Sequence, residues 1–326
     1  EYAQIFRAVR NQFSADLAER LAASAAVANI AGPYIGTVNL YGYTAGVSGS
    51  FGLGDEGPSD IVIPGVGSIE AIPGQAGAVN GRAYFGMNLG SLFGAPYDPF
   101  HPDEERSPPG YFSLDRIDVY LSGLRLTRSL NNPNGFNGRV RYTIRGEGGQ
   151  VRYHLATGYN VYGSWLRFLG TSLGFGYYQT NQSIRLTSSE LSTLGLVLTE
   201  GTNLTWTGQN VGVWTTKVES YPIELRSGVQ FMRALNFTIG AGYSRQSGST
   251  DLFFTRFGPL TINSAAASSN DAILSLSFAE SAEVPKYLSY LIAGVELDIW
   301  AVKVGLEGLI TPEDSWGVSG GIRAEF

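Results

Sequence analysis

The chain has 326 residues, and only 15% of them are charged, whereas a soluble globular domain has about 25%. Its net charge of −6 argues against a nucleic-acid partner. It has no cysteine, which excludes disulfides, zinc–thiolate sites and thiol nucleophiles. The 43 glycines, 18 tyrosines and 17 phenylalanines are typical of strands that alternate lipid-facing and lumen-facing residues. A glycine-rich soluble β-sandwich or propeller is the alternative.

Residues 1–33 are predicted to form an amino-terminal helix. Its apolar residues recur at every fourth position, which is the spacing of one helix face. These residues are Val9, Phe13, Leu17 and Leu21. Gly32 and Pro33 end the helix. It can plug the lumen of a barrel built from residues 34–326, cover the periplasmic mouth of that barrel, or lie on the membrane surface. Its polar faces carry charges of both signs, which favours a plug or a mouth cover.

Most of the remaining sequence alternates with the period of two that is typical of β-strands. Six segments do so over about the 9–11 residues with which a tilted strand crosses a bilayer. They are 151–161, 221–231, 236–244, 287–298, 302–310 and 316–326. Weaker alternation occurs in 37–53, 82–93, 117–128, 139–145 and 169–183. We therefore predict an all-β fold, a closed antiparallel transmembrane β-barrel of about 12 strands (range about 10–14). Its twelfth strand is expected inside 54–78.

The last segment carries the clearest signal. Trp316, Val318, Ile322 and Phe326 lie on one face of it, and Ser319, Arg323 and Glu325 lie on the other. This segment resembles the closing strand of bacterial outer-membrane barrel proteins, which ends in phenylalanine and is read by the barrel assembly machinery. The resemblance implies a location in the bacterial outer membrane, with outer-membrane lipids and that machinery as partners. It also implies that Phe326 lies on the periplasmic side.

This orientation predicts where the connections lie, because such barrels have short periplasmic turns and longer extracellular loops. The predicted periplasmic turns are Leu130–Gly135, Gly163–Leu166, Met232–Leu235 and Asp298–Trp300. The predicted extracellular loops are 94–113, 184–209 and 247–286. The last loop contains the apolar run Leu252–Leu260. This run indicates either a strand that continues beyond the bilayer or an apolar rim folded over the barrel mouth.

Charged residues on the polar faces of the strands are the candidate site residues. The predicted basic patch of the lumen is Arg139, Arg141, Arg152, Arg226 and Arg323. The predicted acidic residues of the lumen are Glu224, Glu296, Asp298, Glu307 and Glu325. We expect Arg139, Arg141 and Arg152 to converge across a turn at Glu147-Gly148-Gly149. There they would attract carboxylate or phosphate groups of a solute. A salt-bridged, solvated lumen is the alternative.

No catalytic residue, cofactor or metal is predicted. A lipid-degrading barrel would need a serine–histidine pair on its lipid-facing surface, and His154 falls on the lumen face. The closest approach to a metal site is an acidic segment that offers oxygen ligands of the kind calcium prefers. Its candidate ligands are Asp98, Asp103 and Glu104. Their spacing matches no standard calcium loop.

Two functions remain open. An amino-terminal segment outside the barrel, together with apolar outer segments, resembles the architecture of the long-chain fatty acid transporter family, whose barrels are blocked by an amino-terminal hatch. This distant resemblance implies passage of small hydrophobic solutes, gated or plugged by the helix. The predicted basic patch of the lumen favours small anionic solutes instead. The alternative is a non-transporting surface barrel, either an adhesin or a structural protein, that binds a partner with its long extracellular loops.

Overall fold

The computed structural model describes residues 2–32, 38–55, 59–63, 67–72, 75–94, 100, 109–131, 138–163, 165–188, 192–197, 203–263 and 271–326. Helix α1 spans Tyr2–Ala31. The strands are β1 Tyr43–Asp55, β2 Ser59–Ile63, β3 Gly67–Ile72, β4 Gln75–Asn88, β5 Ile117–Asn131, β6 Gly138–Ala156, β7 Tyr159–Tyr162, β8 Leu166–Ser188, β9 Ser192–Val197, β10 Asn203–Phe231, β11 Leu235–Asn263, β12 Asp271–Glu283, β13 Tyr287–Ile299, β14 Val302–Ile310 and β15 Trp316–Glu325. In this part of the chain, no helix is long and apolar enough to cross a membrane.

The main sheet is antiparallel, and its hydrogen bonds run in a ring. Twelve described strands follow one another along this sheet, and β7 is a further short strand on β8. Ten of the twelve form the circuit itself, which closes where β15 pairs with β1 and where β10 pairs with β11. The other two, β9 and β12, lengthen the sheet beside β10 and β11. The predicted barrel-like fold with an amino-terminal helix is confirmed.

The outer surface of the ring carries an apolar belt. Each of the ten ring strands exposes at least one large apolar side chain, for example Val47, Phe85, Leu121, Val151, Phe175, Ile223, Ile239, Leu291, Leu306 and Ile322. Aromatic pairs border the belt at both edges, with Tyr177 and Tyr221 at one edge and Tyr43 and Phe326 at the other. On β10 the belt runs from Tyr221 to Phe231. At about 3.3 Å per residue and about 40° of tilt, this length gives a height of about 25 Å, which is the usual height of the apolar band on membrane-spanning barrels.

The two ends of the ring differ. At the end that contains Phe326, short turns hydrogen-bond to one another, as in Met232 N to Trp165 O, or to a neighbouring strand, as in Glu325 N to Ala301 O. We call this the short-turn end. At the opposite, long-strand end, β10 and β11 stay paired far above the belt, as far as Asn203 and Asn263. The apolar run 252–260 therefore belongs to a strand that continues beyond the belt.

Two predicted connections lie at the wrong end. Residues 130–135 were expected beside Phe326, but Asn131 pairs with Arg139 at the long-strand end. Segment 94–113 was expected at the opposite end, but it joins strands that meet at the short-turn end, where Asn88 pairs with Asp118. Both errors have one cause. The alternation predicts two strands, over 139–145 and 151–161, with a turn between them. Because β6 runs without a turn from Gly138 to Ala156, one reversal of the chain is absent, and every earlier connection lies at the other end of the ring.

The sequence Glu147-Gly148-Gly149 is not a turn. It lies within β6, which pairs without interruption with β5 from Arg139 to Tyr153. A Cβ at Gly148 would lie 2.5 Å from the ring of Tyr178, so the glycine makes room for a neighbouring aromatic residue within the sheet. The predicted twelfth strand inside 54–78 is also wrong. Strands β2 and β3 in this region pair with each other as a separate two-stranded sheet.

Helix α1 lies inside the ring. Its carbonyl oxygens accept hydrogen bonds from inward-facing serines of β1, with Ser50 bonded to Ala28 and Ser48 bonded to Gly32 just beyond the helix. The preceding turns of the helix lie closer to the long-strand end, because the backbone of Arg20 is close to Gly54 near the end of β1. The helix therefore descends from the long-strand end and ends near the middle of the lumen.

Candidate functional site in the lumen

Asn29 fastens the inner end of α1 to the barrel wall. Its side-chain nitrogen donates to Ser220 Oγ at 2.7 Å, and its Oδ1 accepts from Arg82 at 2.7 Å and from Thr180 Oγ1 at 2.6 Å. These partners lie on β10, β4 and β8. The guanidinium of Arg82 also lies over the ring of Tyr178, 4.9 Å from its centroid. One asparagine therefore joins α1 to three strands through buried polar contacts, which are costly to break.

Small residues let α1 approach the wall closely. A Cβ at Gly52 would lie 2.4 Å from the carbonyl oxygen of Ser24, and a Cβ at Gly317 would lie 2.8 Å from a methyl of Val27. The helix contributes buried alanines, namely Ala18, Ala22, Ala25, Ala26 and Ala28. Alanine is the strongest helix former and occupies little space. The same composition therefore forms the helix and lets it fit within the ring.

An apolar cavity of about 480 Å³ lies between α1 and the inner wall of the long-strand end. Leu17 and Leu21 border it from the helix. Wall residues that border it include Ile184, Leu186, Trp214, Leu252, Phe254 and Phe278. Phe254 and Phe278 stack with their ring centroids 5.2 Å apart. The side chains of Val9 and Phe13, the other predicted members of the helix face, lie outside the described residues.

Below the helix, Arg226 is buried between two carboxylates. It donates to Glu224 Oε2 at 3.0 Å and forms a two-pronged contact with Glu307. Glu224 also accepts from the hydroxyl of Tyr290 at 2.9 Å, and its Oε2 lies 3.9 Å from Arg152 NH2. Paired guanidinium and carboxylate groups of this geometry form the strongest charge-assisted hydrogen bonds in proteins. The lumen is therefore ion-paired at this level and offers no uncompensated basic patch.

A second ion-paired group continues towards the short-turn end. Arg323 donates to both oxygens of Glu296, at 2.8 and 2.9 Å, and also to Glu325. Lys303 then bridges Glu325 at 2.6 Å and Asp298 at 3.2 Å. All five side chains lie on the last three strands of the ring. The predicted acidic residues thus accompany the predicted arginines and do not form a separate cluster.

Arg139 and Arg141 do not reach the lumen. Both are exposed, whereas Arg152 is buried. Because β6 is continuous from residue 139 to residue 153, odd and even positions face opposite sides along this length. Arg141 and Arg152 therefore cannot share a face, and the predicted convergence of the three arginines is wrong.

Asp118 was missed by the sequence reasoning. Its carboxylate lies 2.6 Å from His154 Nε2 and accepts from the backbone nitrogen of Leu40 and from the side chain of Asn88. All of these residues are buried. The contacts tie segment 38–40, which follows α1, to the wall at the short-turn end. The alternation of 117–128 could have identified Asp118, because this residue falls on the face opposite Val119 and Leu121.

A second cavity, of about 320 Å³, opens beside this anchor at the short-turn end. Its charged lining residues are Arg167, Asp298, Lys303 and Glu325. Phe100 also borders it and packs edge-on against Tyr41. No group of three or more histidine or acidic side chains in the described ranges could hold a metal ion. The predicted metal candidates Asp98, Asp103 and Glu104 lie outside those ranges.

A ring of strands, an apolar outer belt with aromatic edges and an ion-paired interior are typical of transmembrane β-barrels, and this barrel-like fold holds an amino-terminal helix inside it. The chain belongs to the Lsa36-like family, whose family model matches residues 1–326.

Comparison with solved structures found several barrels of low sequence identity. A FadL homologue from Pseudomonas aeruginosa is 9% identical, with 93% of this chain and 97% of that chain covered and a TM-score of 0.28. The CymD monoaromatic hydrocarbon channel is 10% identical, with 96% and 99% covered and a TM-score of 0.24. The transport unit of the autotransporter AIDA-I from Escherichia coli is 11% identical, with 94% and 99% covered and a TM-score of 0.30. A comparison with curated proteins found no match.

Proposed function

We propose that this chain is a bacterial outer-membrane barrel that passes small hydrophobic solutes, with α1 as a movable plug. One observation carries the proposal: the apolar cavity between α1 and the inner wall of the long-strand end. Its volume of about 480 Å³ falls within the range of small-molecule sites, which are mostly lined by apolar and aromatic residues. Anionic solutes are not part of the proposal, because Arg226 and Arg323 are already paired with carboxylates.

Movement of α1 is part of the proposal because the helix lies inside the ring and forms one wall of the cavity. A solute that enters the cavity lies against Leu17 and Leu21, so solute binding acts directly on the helix. No catalytic role is proposed, since His154 is fully buried and held by Asp118.

A reversible disulfide tests whether α1 is a plug. The protein has no cysteine, and a Cβ at Gly317 would lie 3.5 Å from the Cβ of Ala31, within the usual range for a disulfide. The Ala31→Cys, Gly317→Cys variant should show no conductance in planar bilayers when oxidised and should open intermittently after reduction. A variant that lacks residues 1–32 should conduct continuously. Each single-cysteine variant serves as a control and should ignore the redox state.

A non-transporting surface barrel is the second candidate. It is favoured by the height of β10 and β11, which stay paired far beyond the belt and form a tall surface for a partner. Heat-modifiable migration in electrophoresis shows whether the variant that lacks residues 1–32 folds. If it folds and still does not conduct, the plug proposal fails, and the result supports the surface-barrel function.

A further inference from the structure

A basic patch lies on the outward face of the long-strand end, directly above the apolar belt. It consists of Arg125 on β5, Arg141 and Arg145 on β6, Arg185 on β8 and Lys217 on β10, all of them exposed. These residues face away from the lumen and therefore take no part in the proposed solute path.

The strand register brings like charges directly opposite each other. Arg125 pairs with Arg145, and Arg141 pairs with Arg185. Opposed residues in an antiparallel sheet have Cβ atoms about 4.5–5.5 Å apart, so each of these pairs repels and destabilises the sheet. Glu147 and Glu219 compensate only Arg145 and Lys217, at 3.0 and 2.9 Å. None of the acidic side chains that the structure describes lies within salt-bridge distance of the other three arginines.

The height of the patch identifies what could compensate these arginines. Tyr177 and Tyr221 mark the upper edge of the belt, with ring centroids 5.2 Å apart. Arg145 and Lys217 lie four residues beyond that edge, each opposite Asn181 on β8. Four residues along a tilted strand correspond to about 10 Å along the membrane normal, which is the level of lipid headgroups. Arg141 and Arg185 lie about the same distance higher, at the level that a bulky headgroup would reach.

We infer that the basic patch binds the phosphate groups of an outer-leaflet lipid with a large, phosphorylated sugar headgroup. The acyl chains of the lipid lie along the belt, against residues such as Leu121 and Phe175. Its phosphates lie between the opposed arginines and replace repulsion with charge-assisted hydrogen bonds. This inference rests on the proposed outer-membrane location, with the long-strand end facing outward, but not on solute transport.

The test uses the full chain in nanodiscs of phosphatidylcholine that contain a minor fraction of bisphosphorylated lipid A or of the same lipid after phosphatase treatment. Lipid retained per protein is measured by native mass spectrometry. The wild type should retain the phosphorylated form preferentially. Arg125→Gln with Arg185→Gln, one change in each opposed pair, should weaken retention roughly ten- to thirtyfold. The matched control is Arg128→Gln on the other face of β5 with Arg233→Gln at the short-turn end, and it should retain lipid like the wild type.

A second measurement guards against a variant that is merely misfolded. Phosphorylated lipid A should raise the unfolding temperature of the wild type and of the control, but not that of the Arg125→Gln, Arg185→Gln variant. Equal retention of both lipid forms, or unchanged retention by this variant, would overturn the inference. The inference would also be overturned if the Arg125→Gln, Arg185→Gln variant retained lipid like the wild type but lost binding to a soluble sulfated polysaccharide. That result would assign the patch to a partner in solution. A wild type that cannot enter nanodiscs would contradict the membrane location itself.

Discussion

At the scale of single residues, the interior of the barrel is organised by arginines that each touch more than one acceptor. Arg226 contacts Glu224 and Glu307, and Arg323 contacts Glu296 and Glu325. Taking such ions out of water is costly, and their mutual attraction offsets that cost only while every partner is present. Loss of one partner should therefore cost more than the pair contributes as a whole.

The Arg226→Met substitution should lower the free energy of unfolding by about 3–5 kcal/mol, because it leaves Glu307 buried without its cation and leaves Glu224 with only Arg152, 3.9 Å away. Unfolding in urea from detergent micelles, followed by tryptophan fluorescence, measures the change. Arg139→Met is the control, since Arg139 is exposed on the outer surface, and it should change stability by less than about 0.5 kcal/mol. Similar losses in the two variants would contradict the buried ion-pair network.

Phe254 and Phe257 provide a matched pair for the apolar cavity. Phe254 lines the cavity and stacks on Phe278, whereas Phe257 is exposed on the outer face of the same strand. Phe254→Ser should weaken binding of an apolar fluorescent dye about tenfold, since it removes apolar contact area and introduces a hydroxyl. Phe257→Ser should leave dye affinity unchanged. Equal dye affinity in the two variants would remove the basis for a hydrophobic solute.

At the scale of elements, α1 packs closely against the inner face of β1 because a glycine of β1 lies at the contact. Gly52 faces the helix, where an added Cβ would meet the Ser24 backbone at 2.4 Å, whereas the nearest atom to a Cβ at Gly49 is 3.8 Å away. A backbone atom cannot move aside without moving its element, so a side chain at position 52 must displace the helix.

Gly52→Val should therefore displace α1 from the inner face of β1. This displacement should increase single-channel conductance and the rate at which trypsin cleaves the helix. Gly49→Val on the same strand should leave both properties as in the wild type. If the Gly52→Val variant folds, does not conduct and resists trypsin, then α1 does not pack against β1 at Gly52 as described.

At the scale of the whole molecule, the ring closes where the two ends of the barrel sequence meet. Tyr43 and Phe326 exchange backbone hydrogen bonds of 2.8 and 3.0 Å, and their rings stack with centroids 6.1 Å apart. We propose that the closing strand β15 and Phe326 are also recognised by the barrel assembly machinery, with the short-turn end in the periplasm.

Phe326→Ser and Tyr43→Ser both remove the contact between these two rings. Tyr43→Ser also removes the contact with the ring of Phe85 and the hydrogen bond from the Tyr43 hydroxyl to Ser91 O, so it should lower the stability of the refolded barrel at least as much as Phe326→Ser. Only Phe326→Ser should reduce the quantity of heat-modifiable protein in the outer membrane several-fold more than its loss of stability explains. Quantitative immunoblots of boiled and unboiled membranes measure the difference. Equal assembly of the two variants would argue against recognition of Phe326.

Local patterns in the sequence determined most of the elements. Alternation identified β10, β11, β13, β14 and β15, because side chains in a strand must face lipid or lumen in turn. Apolar spacing and a Gly-Pro end likewise identified the amino-terminal helix. These features depend only on near neighbours along the chain, so no knowledge of the fold was needed.

Pairing between distant strands decided the rest. A Gly-Gly sequence such as Gly148-Gly149 is compatible with a turn and also with a strand that packs beside a large aromatic residue. The contact with Tyr178 on β8, which is distant in the sequence, shows that it belongs to a strand. Because β6 is one continuous strand, the earlier connections lie at the ends opposite to those predicted. For the same reason, Arg139 and Arg141 lie on the outer surface and not in the predicted lumen patch. The position of α1, the anchor at Asn29 and the opposed arginines likewise arise from contacts across the ring, which alternation along a single strand cannot specify.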